Sequence, residues 1–415
     1  MPEERDLIYD WNVVGQTERP DHPVTLHDET LRDGIQGPSV RDPEIDVKLR
    51  FLQLADALGI GSIDLGLPGA GPRMVAHVER LAQEIRDQRL RIKPLCAART
   101  LEVDIRPVVE ISQRVGIPIE VAAFIGSSPI RQYAEGWTLD QMVENTRTAV
   151  RFARQQQLPV LYVTEDTTRA NPETLRRLYG TAIEEGAARI CVCDTVGHST
   201  PDGVRALVSH VRRLVDELNP LVGVDWHGHS DRGLGLVNAM VAAVAGADRL
   251  HGCALGLGER VGNTQIDLLL VNLRLLGWID TDLSHLREFG EVIAEGTGMP
   301  IPPNYPVLGA DAFRTATGVH AAAVIKAKRK GDDWLANRVY SGVPAELVGC
   351  QQVIEIGPMS GESNVIFWLE QHGIAPQPAL VKSIFEEAKR GNRLLTEPEI
   401  LEIVRADTPR RTVSA

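Results

Sequence analysis

The feature that most constrains the fold is a repeated alternation of short, β-forming apolar runs with helical segments. Eight apolar runs follow one another at intervals of about 30 residues, the length of one strand–helix unit. They begin at Val24, Ile60, Arg91, Pro118, Leu158, Ala188, Leu221 and Asp248. Such runs are typical of a parallel sheet buried on both faces, and eight of them favour closure into a (β/α)8 TIM barrel, an α/β fold.

The segments between these runs carry the pattern of amphipathic helices. In VKLRFLQLADALGI, TLRRLYGTAIEEGA and GLVNAMVAAVAGA, apolar residues recur at three and four positions, and a glycine often ends the run. An open, doubly wound sheet is the alternative architecture. No GxGxxG motif follows the first strand, which weakens a dinucleotide-binding form of that alternative.

Beyond the eighth unit the pattern changes. The proline-rich stretch TGMPIPPNYPVLG indicates a linker, and helical segments around 322–330 and 378–390 indicate a smaller region that forms a lid or a dimer arm. We therefore expect an N-terminal extension at 1–23, a catalytic barrel at 24–285, a linker at 286–310, a mainly helical C-terminal lid subdomain at 311–405 and a disordered tail at 406–415.

Composition and charge indicate which partners are disfavoured and in which compartment the protein is expected. The net charge of −12 disfavours nucleic acid and anionic lipid as partners. The sequence has no apolar stretch of about 18 residues, and its start, MPEERDLIYDWN, lacks the apolar core of a signal peptide. Five cysteines form an odd and sparse set, which is typical of a reduced cytoplasm, so we expect a cytoplasmic protein.

Cys191 and Cys193 stand two apart and resemble half of a metal site. They lie in ARICVCDT, an apolar predicted strand, and no second cysteine pair completes a site. Core packing is therefore the favoured interpretation of this pair.

Polar residues collect where the predicted strands end. These points are 27–34 (HDETLRDG), 164–166 (TED), 194–195 (DT), 227–229 (HGH) and 258–263 (GERVGN). In a barrel of parallel strands the carboxyl ends share one mouth, and active sites lie there. The fold prediction thus predicts that these distant residues converge.

His227 and His229 project from the same face of their strand because they are two residues apart. A divalent ion (Zn²⁺, Mn²⁺, Fe²⁺ or Mg²⁺) would be held by these two imidazoles together with the Asp33 carboxylate and the Asn263 amide oxygen. Such a set leaves coordination positions open for substrate. A hydrogen-bonded pair at the barrel rim is the alternative for the two histidines.

Arg32 precedes the proposed ligand Asp33, and its guanidinium there could stabilise an enolate. The alternative is an ion pair with Glu29 or Asp28. Thr195 at the sixth strand end offers a hydroxyl to a substrate carboxylate, or else caps the next helix.

Three motifs together resemble a known family. DETLRDGIQ at 28–36, HGHSDRGLG at 227–235 and GLGERVGN at 256–263 are similar to those of the metallolyase barrels that include 2-isopropylmalate, homocitrate and citramalate synthases and hydroxymethylglutaryl-CoA lyase. The resemblance runs from about Val24 to Gln371. It implies the fold expected above, a divalent metal and an acyl-CoA partner.

The resemblance also implies roles for individual residues. Asp33, His227, His229 and Asn263 lie on or near the metal, and Arg32 is catalytic. Glu165 lies near the acetyl group, Thr195 holds the carboxylate of a 2-oxo acid, and Gln36 contributes to substrate binding. GVHAAAVIKA and RVYSGVPAELVG resemble the lid segments of the synthases and assign catalytic roles to His320 and Tyr340, which the family often shares across a homodimer. Without the resemblance, His320 is an ordinary helical histidine and Tyr340 a packing residue.

The implied reaction is a Claisen-type condensation of acetyl-CoA with a 2-oxo acid, followed by hydrolysis of the thioester. The proton transfers fall either to His320 with Tyr340 or to Glu165. A lyase or aldolase on the same barrel is one alternative, because the family includes both directions of carbon–carbon chemistry. A barrel that only binds a ligand is another.

The oxo acid is constrained by two arginines. GSSPIRQYAEGW at 126–137 and TEDTTRA at 164–170 resemble homocitrate synthase segments, which places Arg131 on a distal carboxylate and Arg169 beside the first one. An arginine left unpaired beside an alkyl group is costly, so an oxo acid with an anionic tail is favoured. Leu101 stands where homocitrate synthase has a histidine, which argues against 2-oxoglutarate and leaves oxaloacetate or its phosphonate analogue open.

Overall fold

A computed structural model describes residues 7–15 and 18–407. Parts of the predicted N-terminal extension (1–6, 16 and 17) and of the predicted tail (408–415) lie outside the described residues. The chain divides into two compact units. One comprises Met1–Asp282 with Glu288–Pro300, and the other Leu283–Arg287 with Ile301–Ala415.

The first unit is built on a closed barrel of eight parallel strands, in the order in which they follow one another along the chain. The strands are β1 Thr25–Asp28, β2 Ser62–Asp64, β3 Lys93–Arg99, β4 Glu120–Gly126, β5 Val160–Glu165, β6 Arg189–Asp194, β7 Gly223–Gly228 and β8 Arg249–Gly252. All eight predicted strands are present, and β8 pairs in parallel with β1 to close the ring. The barrel prediction is confirmed, and the open doubly wound sheet is excluded.

Helices stand between and after these strands. In chain order they are α1 Trp11–Val14, α2 Ile45–Ala57, α3 Pro72–Gln88, α4 Glu102–Val115, α5 Pro129–Glu135, α6 Leu139–Gln155, α7 Pro172–Glu184, α8 Pro201–Leu218, α9 Gly235–Val244, α10 Ile266–Leu275 and α11 Leu286–Thr297. The longer helices bury apolar side chains such as Phe51, Leu81, Val108 and Leu178, whereas α1 and α5 have no buried residues. The segment predicted as a linker, 286–310, begins with α11 and is therefore partly helical.

The strand register fixes which side chains meet inside the barrel. His27 of β1 lies opposite Ser62 of β2 and opposite His251 of β8. Asp225 of β7 lies opposite Arg249 of β8. Side chains at alternate positions of a strand point to one face, so these polar groups share the interior. The centre of this barrel is therefore charged and hydrogen-bonded as well as apolar.

The second unit is mainly helical, as predicted. It contains α12 Gly318–Arg329, α13 Asp333–Arg338, α14 Glu362–Gln371, α15 Pro378–Arg390, α16 Glu397–Asp407 and a small parallel pair of strands, β9 Arg314–Thr315 and β10 Val353–Ile354. Its main core forms where α14, α15 and α16 meet, around Val365, Leu369, Ile384 and Ile400. Across the part of the chain that the structure describes, no helix combines the length and apolarity needed to cross a bilayer.

Candidate active site

The polar strand ends converge on one cavity in the first unit. Its volume is about 290 Å³. The polar residues of its lining are Glu29, Arg32, Asp33, Gln36, Glu165, Thr195, His227, His229, His251, Glu259 and Arg260. The remaining lining residues are Leu67, Ala97, Ala122, Phe124, Val163, Cys191 and Cys193. A cavity of this size and mixed lining suits a small organic acid.

A tight turn after β1 places three charged residues at this cavity. The backbone carbonyl of Glu29 accepts hydrogen bonds from the amides of Arg32 (3.2 Å) and Gly34 (3.0 Å). Asp33 then precedes a short 3-10 helix, Gly34–Gln36. The turn reverses the chain within five residues, so the side chains of Glu29, Arg32 and Asp33 all reach the same wall.

A glycine-rich loop after β8 places Asn263. A Cβ on Gly258 would lie 2.3 Å from the Asn263 amide nitrogen, and its φ of +142° is unfavourable for other residues. A Cβ on Gly262, where φ is +90°, would lie 1.8 Å from the Gly256 carbonyl oxygen. The glycines of the GERVGN segment thus allow the loop to fold back closely enough for Asn263 to form an isolated bridge with His229.

Asp33, His227 and His229 form a compact buried triad. The Asp33 Oδ2 atom lies 3.3 Å from His227 Nε2 and 3.6 Å from His229 Nε2. The two Nε2 atoms lie 3.3 Å apart. Two ligands bound to one ion at about 2.1 Å lie roughly 3.0–3.4 Å apart, so the triangle has the dimensions of a metal site.

The surrounding atoms also fit a cation. Asn263 donates its amide hydrogen to the Leu257 carbonyl oxygen (3.0 Å), whereas its Oδ1 is buried and has no hydrogen-bond partner among the described residues. A buried acceptor without a donor is costly unless a ligand satisfies it. Two imidazoles, a carboxylate and an amide oxygen are a donor set for a divalent first-row metal or Mg²⁺.

The ionisation state of the Asp33 carboxylate also favours a metal site. Burial alone would raise its pKa, but the charge of Arg32 and hydrogen bonds from the two histidines hold the pKa well below its usual range. Asp33 is therefore ionised at neutral pH, as a metal ligand must be.

Arg32 lies in a cage of three carboxylates. Its Nε lies 3.0 Å from Glu29 Oε2 and 3.3 Å from Asp64 Oδ2, and its Nη1 lies 3.4 Å from Asp33 Oδ2. Although burial opposes the charged form, these carboxylates raise the pKa of Arg32 well above its usual value. The ion pair with Glu29 that the sequence offered as an alternative is present. Arg32 also lines the cavity, so the pair and a role toward substrate are compatible.

Glu165, Thr195 and Gln36 also face the cavity. Burial raises the pKa of Glu165, and the charge of Arg131 offsets only part of this effect. Thr195 Oγ accepts the backbone amide of Asp166 at 2.8 Å and keeps its own hydrogen available for a ligand. The cap of α8 is Thr200, so the helix-cap alternative for Thr195 is wrong.

Arg131 and Arg169 do not line the cavity. Arg131 Nη2 lies 3.6 Å from Glu165 Oε2, and its Nη1 lies 3.2 Å from Glu135 on α5. Arg169 forms a bidentate pair with Asp166, at 2.7 and 2.8 Å. Both arginines are thus neighbours of the cavity wall whose charges are shared with carboxylates of the protein. Leu101 is 41% exposed and lies outside the cavity lining.

His320 and Tyr340 lie in the second unit. Their rings stack with centroids 4.1 Å apart and an interplanar angle of 27°. Tyr340 is 48% exposed. The structure therefore brings these two predicted residues together as an exposed pair, on α12 and just after α13.

Roles for His251 and Asp64 near the site were not anticipated. His27, Glu29 and His251 form a second buried group of possible ligand atoms, and Asp64 pairs with Arg32. Their signal was available, because histidines and acids at alternate positions of otherwise apolar strands indicate a polar barrel interior. Cys191 and Cys193 are buried beside Leu95 and Leu161, which agrees with core packing.

Comparison with known proteins agrees with the three motifs. The HMGL-like family model matches residues 23–293. A homocitrate synthase of Methanopyrus kandleri is 32% identical over 400 residues, which cover 95% of this chain and 94% of that protein. A 2-isopropylmalate synthase of Sulfolobus acidocaldarius is 30% identical over 369 residues (88% and 90%), and an (R)-citramalate synthase of Methanocaldococcus jannaschii is 29% identical over 392 residues (93% and 75%).

The structural comparison concerns the fold. The crystal structure of hydroxymethylglutaryl-CoA lyase from Pseudomonas aeruginosa superposes with a TM-score of 0.56 at 21% identity, and covers 66% of this chain and 93% of that chain. It shares the barrel architecture described above. The sequence matches, which extend beyond the barrel, are to proteins named as synthases. On this combination of sequence and fold, the chain belongs to the HMGL-like family.

Proposed function

We propose that the protein condenses acetyl-CoA with a 2-oxo acid in a metal-dependent Claisen-type reaction and releases free CoA. The observation that carries the proposal is the convergence of Asp33, His227, His229 and the unpartnered Asn263 Oδ1 beside Arg32. Its relatives named homocitrate, citramalate and isopropylmalate synthases support the reaction class.

The site residues have distinct roles in this scheme. The four ligands would hold a divalent cation, which supplies Lewis acidity toward the ketone of the oxo acid. Thr195 donates its hydroxyl hydrogen to the oxo acid carboxylate. Arg32 stabilises the negative charge that develops on oxygen as the enolate forms and attacks the ketone carbon.

Proton transfer falls either to Glu165 or to the His320–Tyr340 pair. A proton leaves the methyl group of acetyl-CoA, the new carbon–carbon bond forms, and the ketone oxygen gains a proton. Water then cleaves the thioester and releases the CoA thiol. Burial raises the pKa of Glu165, which favours its carboxyl group as one that exchanges protons with the substrate.

The oxo acid that we favour has an anionic tail. Arg131 supports this choice because it neighbours Glu165, which lines the cavity, and because its side chain is 41% exposed. A tail carboxylate or phosphonate would compete with Glu135 for Nη1, from which that glutamate is 3.2 Å distant. The product would then be a hydroxylated tricarboxylate or its phosphonate analogue.

A second candidate is an oxo acid with a short alkyl tail. The apolar lining residues of the cavity, which include Leu67, Phe124 and Val163, favour such a substrate. The relatives do not choose between the two, since identities of 29–32% connect this chain to synthases named for three different products.

Release of CoA from acetyl-CoA, measured with 2-oxoglutarate, oxaloacetate, phosphonopyruvate, pyruvate and 2-oxoisovalerate, separates these candidates. We expect the highest kcat/KM with an acid that bears a second anionic group. Arg131→Met should lower kcat/KM for that acid by about 10- to 100-fold, because a charge-assisted hydrogen bond contributes roughly 1.5–3 kcal/mol.

The same substitution should leave turnover of pyruvate within about twofold, because pyruvate has no second anion to lose. Highest turnover with 2-oxoisovalerate, or an equal effect of Arg131→Met on every acid, would contradict the anionic tail. Cleavage of hydroxymethylglutaryl-CoA without any condensation activity would favour the lyase alternative.

We further propose a homodimer in which His320 and Tyr340 serve the partner's barrel. Mixing tests this directly: Asp33→Ala and His320→Ala proteins are each expected to be inactive, and after subunit exchange their equimolar mixture should regain about a quarter of the wild-type activity. That recovery arises because half of the dimers are mixed and each of these has one intact site. A mixture that shows subunit exchange but stays inactive would mean that each chain completes its own site.

A further inference from the structure

A closed ring of six buried side chains occupies the barrel interior beneath the cavity. Its members are Glu29, His251, Asp225, Arg249, Ser62 and His27. Each is less than 9% exposed. Two of its members, Glu29 and His251, are also part of the cavity wall.

The ring begins with His251, which bridges two carboxylates. Its Nδ1 lies 3.0 Å from Glu29 Oε1, and its Nε2 lies 2.9 Å from Asp225 Oδ2. His251 is thus held between the two carboxylates by both of its ring nitrogens. Asp225 also accepts from Arg249 Nε (2.6 Å) and Arg189 Nε (2.6 Å).

The other half of the ring runs through Arg249, Ser62 and His27. Arg249 Nη1 can only donate, so it donates to Ser62 Oγ at 3.1 Å, and Ser62 Oγ forms a second hydrogen bond of 2.8 Å with His27 Nδ1. His27 Nε2 faces Glu29 Oε1 at 3.5 Å, a contact that does not meet hydrogen-bond geometry. The ring therefore closes at Glu29 through this contact.

The Glu29 carboxylate meets two groups of the proposed active site. Its Oε2 accepts Arg32 Nε at 3.0 Å and also pairs with Arg32 Nη2. Its Oε1 lies 3.8 Å from His227 Nδ1, the ring nitrogen on the side away from Asp33. Histidines that bind metals are commonly oriented by a carboxylate at the second nitrogen, and losing it typically costs 10- to 100-fold in metal affinity.

We propose that Glu29 is a positioning residue that sets both the Arg32 guanidinium and the His227 imidazole, and that the ring holds its carboxylate in place. The inference rests on the proposed metal site and adds a residue to it. Glutamine at this position has one oxygen and one NH2 group, so it cannot accept from Arg32 on one side and from His251 on the other. The result is a displaced Arg32 or a displaced imidazole.

The test measures metal affinity as well as turnover. Metal-free wild type, Glu29→Gln and Glu84→Gln are titrated with Mn²⁺, and free Mn²⁺ is followed by electron paramagnetic resonance. Glu84 is the matched control, since it is a buried glutamate (6% exposed) that pairs with an arginine, Arg80 at 2.9 Å, away from the cavity. We expect Glu29→Gln to weaken Mn²⁺ binding by about 10- to 100-fold and to lower kcat, and Glu84→Gln to do neither.

Ser62→Ala provides a second variant because it breaks the ring without touching Glu29 or the ligands. We expect a smaller loss of Mn²⁺ affinity in the same direction, with the melting temperature of the metal-free protein recorded for each variant. Glu29→Gln with wild-type Mn²⁺ affinity would overturn the positioning role, and Ser62→Ala with wild-type affinity would overturn the role of the ring. Failure of the proposed function looks different, because the wild type itself would then not bind Mn²⁺.

Discussion

Asp33→Ala should yield a folded protein that holds almost no metal and whose kcat/KM with the preferred oxo acid has fallen by about 10³-fold. Asp33 is the only carboxylate in the triad with His227 and His229, and its pKa, held well below the usual range, keeps it charged at neutral pH. Its loss removes the Lewis acid, whose stabilisation of the reacting ketone is worth several kcal/mol, and about 4 kcal/mol corresponds to the stated factor. Metal content is measured by mass spectrometry after dialysis, and turnover by release of CoA.

Asp42→Asn is the control for this experiment. Asp42 is also an aspartate in an ion pair, at 2.5 Å from the fully buried Lys48, but it does not line the cavity. We expect it to lower stability and to leave metal content unchanged. Full metal content in Asp33→Ala, with wild-type content in the control, would show that this carboxylate is not a ligand.

Arg32→Gln should lower kcat by about 10²- to 10³-fold while metal content stays at the wild-type level. The guanidinium stabilises charge that develops in the transition state, and removal of one such donor typically costs roughly 3–4 kcal/mol. The substitution leaves the Asp33 and histidine ligands in place, so we expect the metal ion to bind without the Arg32 guanidinium. Steady-state kinetics and metal analysis on the same preparation provide the measurement.

Arg32→Lys separates charge from geometry. Lysine keeps the positive charge but cannot reach Glu29, Asp64 and Asp33 with a rigid fork of donors, so we expect only partial recovery of kcat relative to Arg32→Gln. Recovery to the wild-type rate would mean that charge alone is needed. A loss of metal in both variants would instead make Arg32 a structural support of the site.

The barrel was predictable because its signal is repeated and local. Eight apolar runs with helices between them leave few other arrangements, and each run became a strand, including the short β1 and β8. The helix at Leu286–Thr297 was missed because the proline-rich stretch that follows it dominated the interpretation of 286–310. Turn-forming residues mark where an element must end more reliably than where the next one begins.

The candidate site was predictable because the carboxyl ends of all strands in a parallel barrel lie at the same end of the barrel. That rule brought Asp33, His227, His229 and Asn263 together, and the structure shows them close to one another. The rule does not give side-chain pairing. Arg169 pairs with Asp166 and Arg131 with Glu135, because partners three or four residues apart are available within the protein.

The polar interior was not anticipated, for a related reason. Glu29, His251 and Asp225 stand in or just after strands that are otherwise apolar, so each one alone resembles a tolerated exception. Only the register, which puts His27 beside both Ser62 and His251, turns these exceptions into one network. Pairing between strands is non-local information that a single pattern along the chain does not contain.

Anomalous X-ray diffraction from crystals of the wild type and Asp33→Ala, grown with saturating Mn²⁺, shows directly whether the triad binds metal. We expect one anomalous peak per chain within bonding distance of the Asp33 carboxylate and the His227 and His229 imidazoles, and no peak there in Asp33→Ala. A peak elsewhere in the wild type, or none at these residues, would mean that these three side chains do not hold the catalytic metal.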